Sequence, residues 1–85
     1  TLAAEQASDM TAREVTAMLF DAQAGTVNLS GRNLSNLDLS GLDFKKARLS
    51  NADLFGTDLA DSNLREADLA GARLDRTTLT RTRFT

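Results

Sequence analysis

Asp38, Asp58 and Asp61 are the side chains in this 85-residue chain best placed to do chemistry. Carboxylates gathered on one face could hold a cation through their oxygens, and in a cleft a pair of them could divide acid and base roles. Other routes are closed. Histidine and cysteine are both absent, which removes the usual nucleophile-and-base pairs, thiolate metal sites and disulfides. The glycines sit at turn positions and none precedes a helix, so no phosphate-cradling loop is present. Everything therefore depends on whether the fold brings the three aspartates together.

From Val27 onward the chain is periodic. Leu29, Leu34, Leu39, Phe44, Leu49, Leu54, Leu59, Leu64, Leu69, Leu74, Leu79 and Phe84 hold one phase of a five-residue repeat without a miss. Residues 25–85 contain 15 leucines and phenylalanines, and 12 of them fall in this phase, which rules out coincidence. On an α-helix, a step of five places successive leucines about 140° apart around the axis, so no single face forms. On a flat strand the same step changes sides every time. All twelve can point inward only if the chain turns by a similar angle at every pentad, and that winding is a solenoid.

The other pentad positions agree. Two residues before each in-phase residue stand Val27, Leu37, Leu42, Ala47, Ala52, Thr57, Ser62, Ala67, Ala72, Thr77 and Thr82, with Arg32 as the exception; alternation sends this position inward too. Directly before the in-phase residue the chain is polar throughout, from Asn28 to Arg83, and this position is expected to face water. The positions that follow carry Ser, Gly, Asn, Lys and Asp, which favour turns.

Residues 1–24 differ in kind. Val15, Met18, Leu19 and Ala22 form one apolar stripe at helical spacing. Thr11 and Glu14 make a capping box, and Gly25 offers a stop, so the spacing predicts a helix from about 12 to 23. A solenoid end exposes unpaired backbone and core leucines, and this helix is expected to lie over the first coil through Val15, Met18 and Leu19. Leu37 and Leu42 put large residues where later pentads use small ones, as a widened coil receiving a helix would need. The expected division is 1–24 as N-terminal segment and capping helix, and 25–85 as solenoid.

The units "NADLF", "EADLA" and "GARLD" resemble the pentapeptide-repeat family over about residues 27–85. The resemblance implies an all-β solenoid, a right-handed quadrilateral β-helix with four pentads per coil and about three coils, here with an N-terminal α-helical cap. Twenty residues per coil would stack Asp38 on Asp58, with Asp61 nearby. On a convex prism without a cleft these are expected to form a solvated ladder, with no enzyme activity, no metal and no cofactor.

Candidate contacts lie elsewhere on the surface. Phe55 follows Leu54 and is expected to point outward between Ser35 and Asp75, as a contact site or as a ring lying along the coil surface or over a corner. Residues 1–61 hold five basic and nine acidic side chains, whereas residues 62–85 hold five basic and three acidic. The basic end comprises Arg65, Arg73, Arg76, Arg81 and Arg83. It lacks the lysine runs and stacking aromatics of a nucleic-acid surface, so nucleic acid is disfavoured. A solvated rim, or a surface meeting another protomer in an end-to-end dimer or stack, fits it better. The function that follows is a non-catalytic protein-interaction or structural module without a small-molecule substrate, self-associating through the open C-terminal coil. The alternative, which the resemblance supplies, is a DNA-mimicking inhibitor or protector of a type II topoisomerase, a role that asks for a long, strongly acidic rod. No apolar run reaches membrane-span length. A soluble bacterial chain is therefore expected, cytoplasmic or exported after signal removal.

Overall fold

The computed structural model describes residues 10–21 and 27–85. In the second of these segments every pentad ends in a corner. In nine pentads the in-phase residue's carbonyl accepts the amide three positions on, at 2.9–3.2 Å, from Leu29 with Arg32 to Leu79 with Thr82. The turns that end at Leu37 and Leu42 lack this bond, and these are the two pentads in which a leucine stands at the otherwise small position. The third residue of each turn has a left-handed backbone, as a type II turn requires. Four of these corners are glycines with φ of 68–71°, and seven are other residues, from Asn36 to Arg81, with φ of 54–64°.

Parallel bridges join each residue of one series to the residue twenty positions on, from Asn28 with Arg48 to Asn63 with Arg83. With a corner every five residues and a neighbour at twenty, each coil has four walls. Three bonds hold each wall to the next coil. Around Arg48, for example, the Leu29 amide donates to the Arg48 carbonyl (2.7 Å), the Arg48 amide to the Val27 carbonyl (2.9 Å) and the Gly31 amide to the Ser50 carbonyl (2.8 Å). The β-structure consists of single bridged residues, because a corner interrupts each wall before a longer ladder can form.

Leu29, Leu34, Leu39, Phe44, Leu49, Leu54, Leu59 and Leu64 are buried in one core. The last four in-phase residues depart from the expected core. Leu69 is half-buried, and Leu74, Leu79 and Phe84 are 37%, 36% and 44% exposed. An inward side chain is covered partly by its own coil and partly by the coils on either side. Residues 67–85 have such a neighbour on one side only among the described residues.

The small inward position tolerates threonine for a specific reason. Thr57, Thr77 and Thr82 donate their hydroxyls to the carbonyls of Leu34, Leu54 and Leu59, each at 2.7 Å, so no hydroxyl is left orphaned in the core. Arg32, the misfit at this position, is half-buried.

Helix α1 spans Ala12–Asp21. Its capping box is formed: the Thr11 amide donates to Glu14 Oε1 (2.8 Å) and the Glu14 amide to Thr11 Oγ1 (3.1 Å). Val15 and Met10 belong to the same buried cluster as Leu29, Leu34, Leu39 and Phe44, with Met18, Leu19, Leu37 and Leu42 packed against it. Phe20 points away and is 84% exposed. The proposed stop at Gly25, Ala22 and the segment before Met10 lie outside the described residues.

Candidate interaction surface

The polar residue before each in-phase position does more than face water. In eight pentads it is Asn or Asp, and its side-chain oxygen accepts the amide two residues on, at 3.0–3.2 Å: Ser30 to Asn28, Ser35 to Asn33, Ser40 to Asp38, Lys45 to Asp43, Phe55 to Asp53, Ala60 to Asp58, Arg65 to Asn63 and Ala70 to Asp68. This is the Asx turn, a side chain standing in for a backbone carbonyl at the start of a bend. Asn and Asp share that position, and what they share is the carbonyl-type oxygen, not charge.

This geometry settles where the aspartates point. Asp38 and Asp58 are bridged neighbours, yet each carboxylate is turned to its own corner. Asp38 takes both the Ser40 hydroxyl (2.7 Å) and the Ser40 amide (3.2 Å), and these bonds hold its carboxyl below the usual carboxylate range. Asp61 is paired with Arg81 through two bonds, Nε to Oδ1 (2.6 Å) and Nη2 to Oδ2 (3.1 Å). That pairing lowers the carboxyl pKa and raises that of the guanidinium. Among the described residues no three acidic side chains gather as a metal site would need.

Asp58→Ala should lower stability by about 0.5–1.5 kcal/mol, the ordinary worth of one such hydrogen bond, whereas Asp58→Asn, which keeps the acceptor and loses the charge, should be near neutral. Thr78→Asn should raise stability by supplying an acceptor to the Thr80 amide. Urea melts of the three variants check this; equal losses for Asp58→Ala and Asp58→Asn would mean that charge, not the turn bond, matters there.

Phe55 stands at a corner, half-buried, with the Arg73 guanidinium carbon 4.7 Å from its ring centre. Arg73 also approaches the Asp75 carboxylate at 3.5 Å. The structure thus joins Phe55 with Arg73, but it does not gather the five arginines into one patch. Arg76 and Arg81 stand at corners, Arg73 and Arg83 on walls of the coil of residues 67–85, and Arg65 on the coil beneath, so together they ring the basic end. Arg81 is occupied by Asp61.

The corners carry a device that sequence reasoning missed. The Asn36 side-chain oxygen fills the space that a Cβ on Gly56 would need, and Asn51 does the same over Gly71. Gly56 and Gly71 thus combine a left-handed corner with the close approach of an asparagine from the coil beneath.

The family model described as pentapeptide repeats (8 copies) matches residues 27–61 and 47–85. The chain belongs to the pentapeptide-repeat family. Among solved structures it is similar to a pentapeptide repeat protein (Rfr23) from the cyanobacterium Cyanothece 51142, at 40% identity and a TM-score of 0.67, over 68% of this chain and 40% of that one. The pentapeptide-repeat chain described here thus spans well under two thirds of that protein's length. Another match is alr5209, a pentapeptide repeat protein from Nostoc Pcc 7120, at 22% identity and a TM-score of 0.28, over 79% of this chain and 74% of that one. No curated protein matches in sequence. Family and neighbour together make this pentapeptide-repeat fold a right-handed β-helix solenoid. No helix among its described residues is long and apolar enough to cross a membrane.

Proposed function

We propose that residues 25–85 form a non-catalytic interaction module of about three quadrilateral coils, capped by α1 of the N-terminal segment 1–24, and that the module self-associates through its C-terminal coil. The observation that carries this reading is the exposure, among the described residues, of Leu74, Leu79 and Phe84, whose equivalents Leu34, Leu39 and Phe44 are only 0%, 0% and 1% exposed. An exposed apolar ring bounded by polar walls marks a contact surface, and here it coincides with a backbone edge. The absence of catalysis is supported by the aspartates, which are committed to turn amides and to Arg81. Phe55 and Arg73 extend the surface down one wall.

Sedimentation velocity over a wide concentration range tests the reading. The weight-average mass should rise with concentration; a strict monomer at high protein concentration and low salt overturns it.

A further inference from the structure

Lys45, Lys46, Arg48 and Arg65 are exposed on the side of the solenoid, and among the described residues none of their side chains makes a hydrogen bond or an ion pair. Arg73 and Arg81, by contrast, are engaged by Phe55, Asp75 and Asp61. The four unengaged cations share one edge. Positive φ at Lys46 (64°) and Glu66 (61°) marks the same corner in two successive coils. The Lys46 amide donates to the Arg65 carbonyl (3.0 Å), which sets these corners about 4.8 Å apart. Arg48 stands on the wall that follows, bridged to Asp68.

The Asx turns are what leave these cations unpaired. The Asp68 side-chain oxygen accepts the Ala70 amide (3.0 Å), so the carboxylate faces its own corner and not the bridged Arg48. Asp43 is turned the same way, accepting the Lys45 amide (3.0 Å) and Asn63 Nδ2 (3.3 Å). Glu66, exposed twenty positions after Lys46, is the acidic side chain of this edge outside the Asx position. Backbone amides therefore claim the carboxylates, and positive charge is left facing water.

We propose that this edge docks an extended acidic segment of a partner protein, its Asp and Glu side chains meeting Lys45, Lys46 and Arg65 along the edge and Arg48 beside it. Alternate side chains of an extended segment share a side at about 6.4–6.8 Å, within reach of long, flexible lysine and arginine side chains set one coil apart. Two features favour carboxylates over a nucleic-acid strand. Phe44, the aromatic of this corner, is 1% exposed and gives a base nothing to stack on. Asp43, Glu66 and Asp68 also interrupt the cations, which opposes a continuous phosphate backbone but suits carboxylates spaced to avoid them. The edge is distinct from the last coil, so its occupancy and self-association are independent.

Titration of the isotope-labelled protein with an octapeptide of alternating serine and glutamate, at low salt, tests the proposal. Amide shifts should be confined to residues 43–48 and 63–68, and should vanish when glutamine replaces the glutamates. The triple variant Lys45→Gln, Lys46→Gln and Arg65→Gln should weaken binding about tenfold, the combined effect of three exposed ion pairs. Arg73→Gln, Arg76→Gln and Arg81→Gln together remove the same charge elsewhere and should change affinity less than about twofold, because salt screens distant charges. Glu66→Gln should tighten binding by removing a like charge. All these side chains are exposed, and cooperative thermal melts confirm that each variant folds. Equal losses in the two triple variants would reduce the effect to net charge and overturn the edge as a site. A thymidine octanucleotide that binds there more tightly than the peptide would overturn the choice of partner. Absence of shifts with the peptide overturns the proposal and leaves self-association standing.

Discussion

Val15→Asp should remove most or all of the stability of the domain. Val15 is fully buried between α1 and the ring of Leu29, Leu34, Leu39 and Phe44. A carboxylate there would sit in the buried apolar cluster that also holds Met10, Leu29, Leu34, Leu39 and Phe44. An uncompensated buried charge costs about 3–5 kcal/mol, against about 5–15 kcal/mol of total stability for a typical domain. Ala17→Asp, on the exposed face of the same helix, is the control and should cost less than about 1 kcal/mol, chiefly helix propensity. Removing residues 1–24 should have the larger version of the same effect, unfolding or aggregation, because the Leu29–Phe44 ring would then face water. Urea and thermal melts measure all three. A truncated chain that melts like the parent would show that α1 contributes nothing to holding the coils.

Leu54→Ala should cost about 2–5 kcal/mol, the range for emptying a fully packed leucine site. Leu74→Ala, the next rung of the same column, should cost less than half as much. Leu54 is 1% exposed with a coil on either side, whereas Leu74 is 37% exposed and, among the described residues, has a coil on one side only. Truncating Leu74 therefore removes fewer contacts and leaves a depression open to water instead of a cavity. The comparison is internally controlled, because both residues occupy the same pentad position and differ only in their place along the axis. Equal losses would mean that the last coil is packed as tightly as the middle one, and the exposed ring would cease to be a candidate contact. The measurement belongs at low protein concentration, where association does not add to the apparent stability.

The winding was legible because one side chain per pentad is so regular. A five-residue leucine period fits neither a helix nor a strand, and that alone forces a turn at each repeat. Thr11 and Glu14 likewise announced their reciprocal bonds by type and spacing. Four features were not legible. The eight Asx oxygens read in sequence only as solvated polar groups, because hydrophobic patterning sorts residues by side and says nothing about which backbone amide an outward oxygen meets. Leu69, Leu74, Leu79 and Phe84 match the period as well as Leu54 does, but period does not encode position along the axis, which decides how many neighbours cover a side chain. Arg81 read as one of five equivalent basic residues, and only the register of twenty places it against Asp61. Phe55 is half-buried, and its partner Arg73 belongs to the next coil and is invisible without that register.

The spacing of twenty between bridged residues also sets a rule for how such a chain can change length. One added residue inside the solenoid would turn every later in-phase side chain off the interior. Five would preserve the interior but carry each later wall a quarter-turn around the prism, so that Arg73 would no longer lie over Phe55 nor Arg81 over Asp61. Twenty would restore every column. The core therefore counts in fives and the surface in twenties, and a pattern of surface residues can be carried along the axis intact only by adding whole coils.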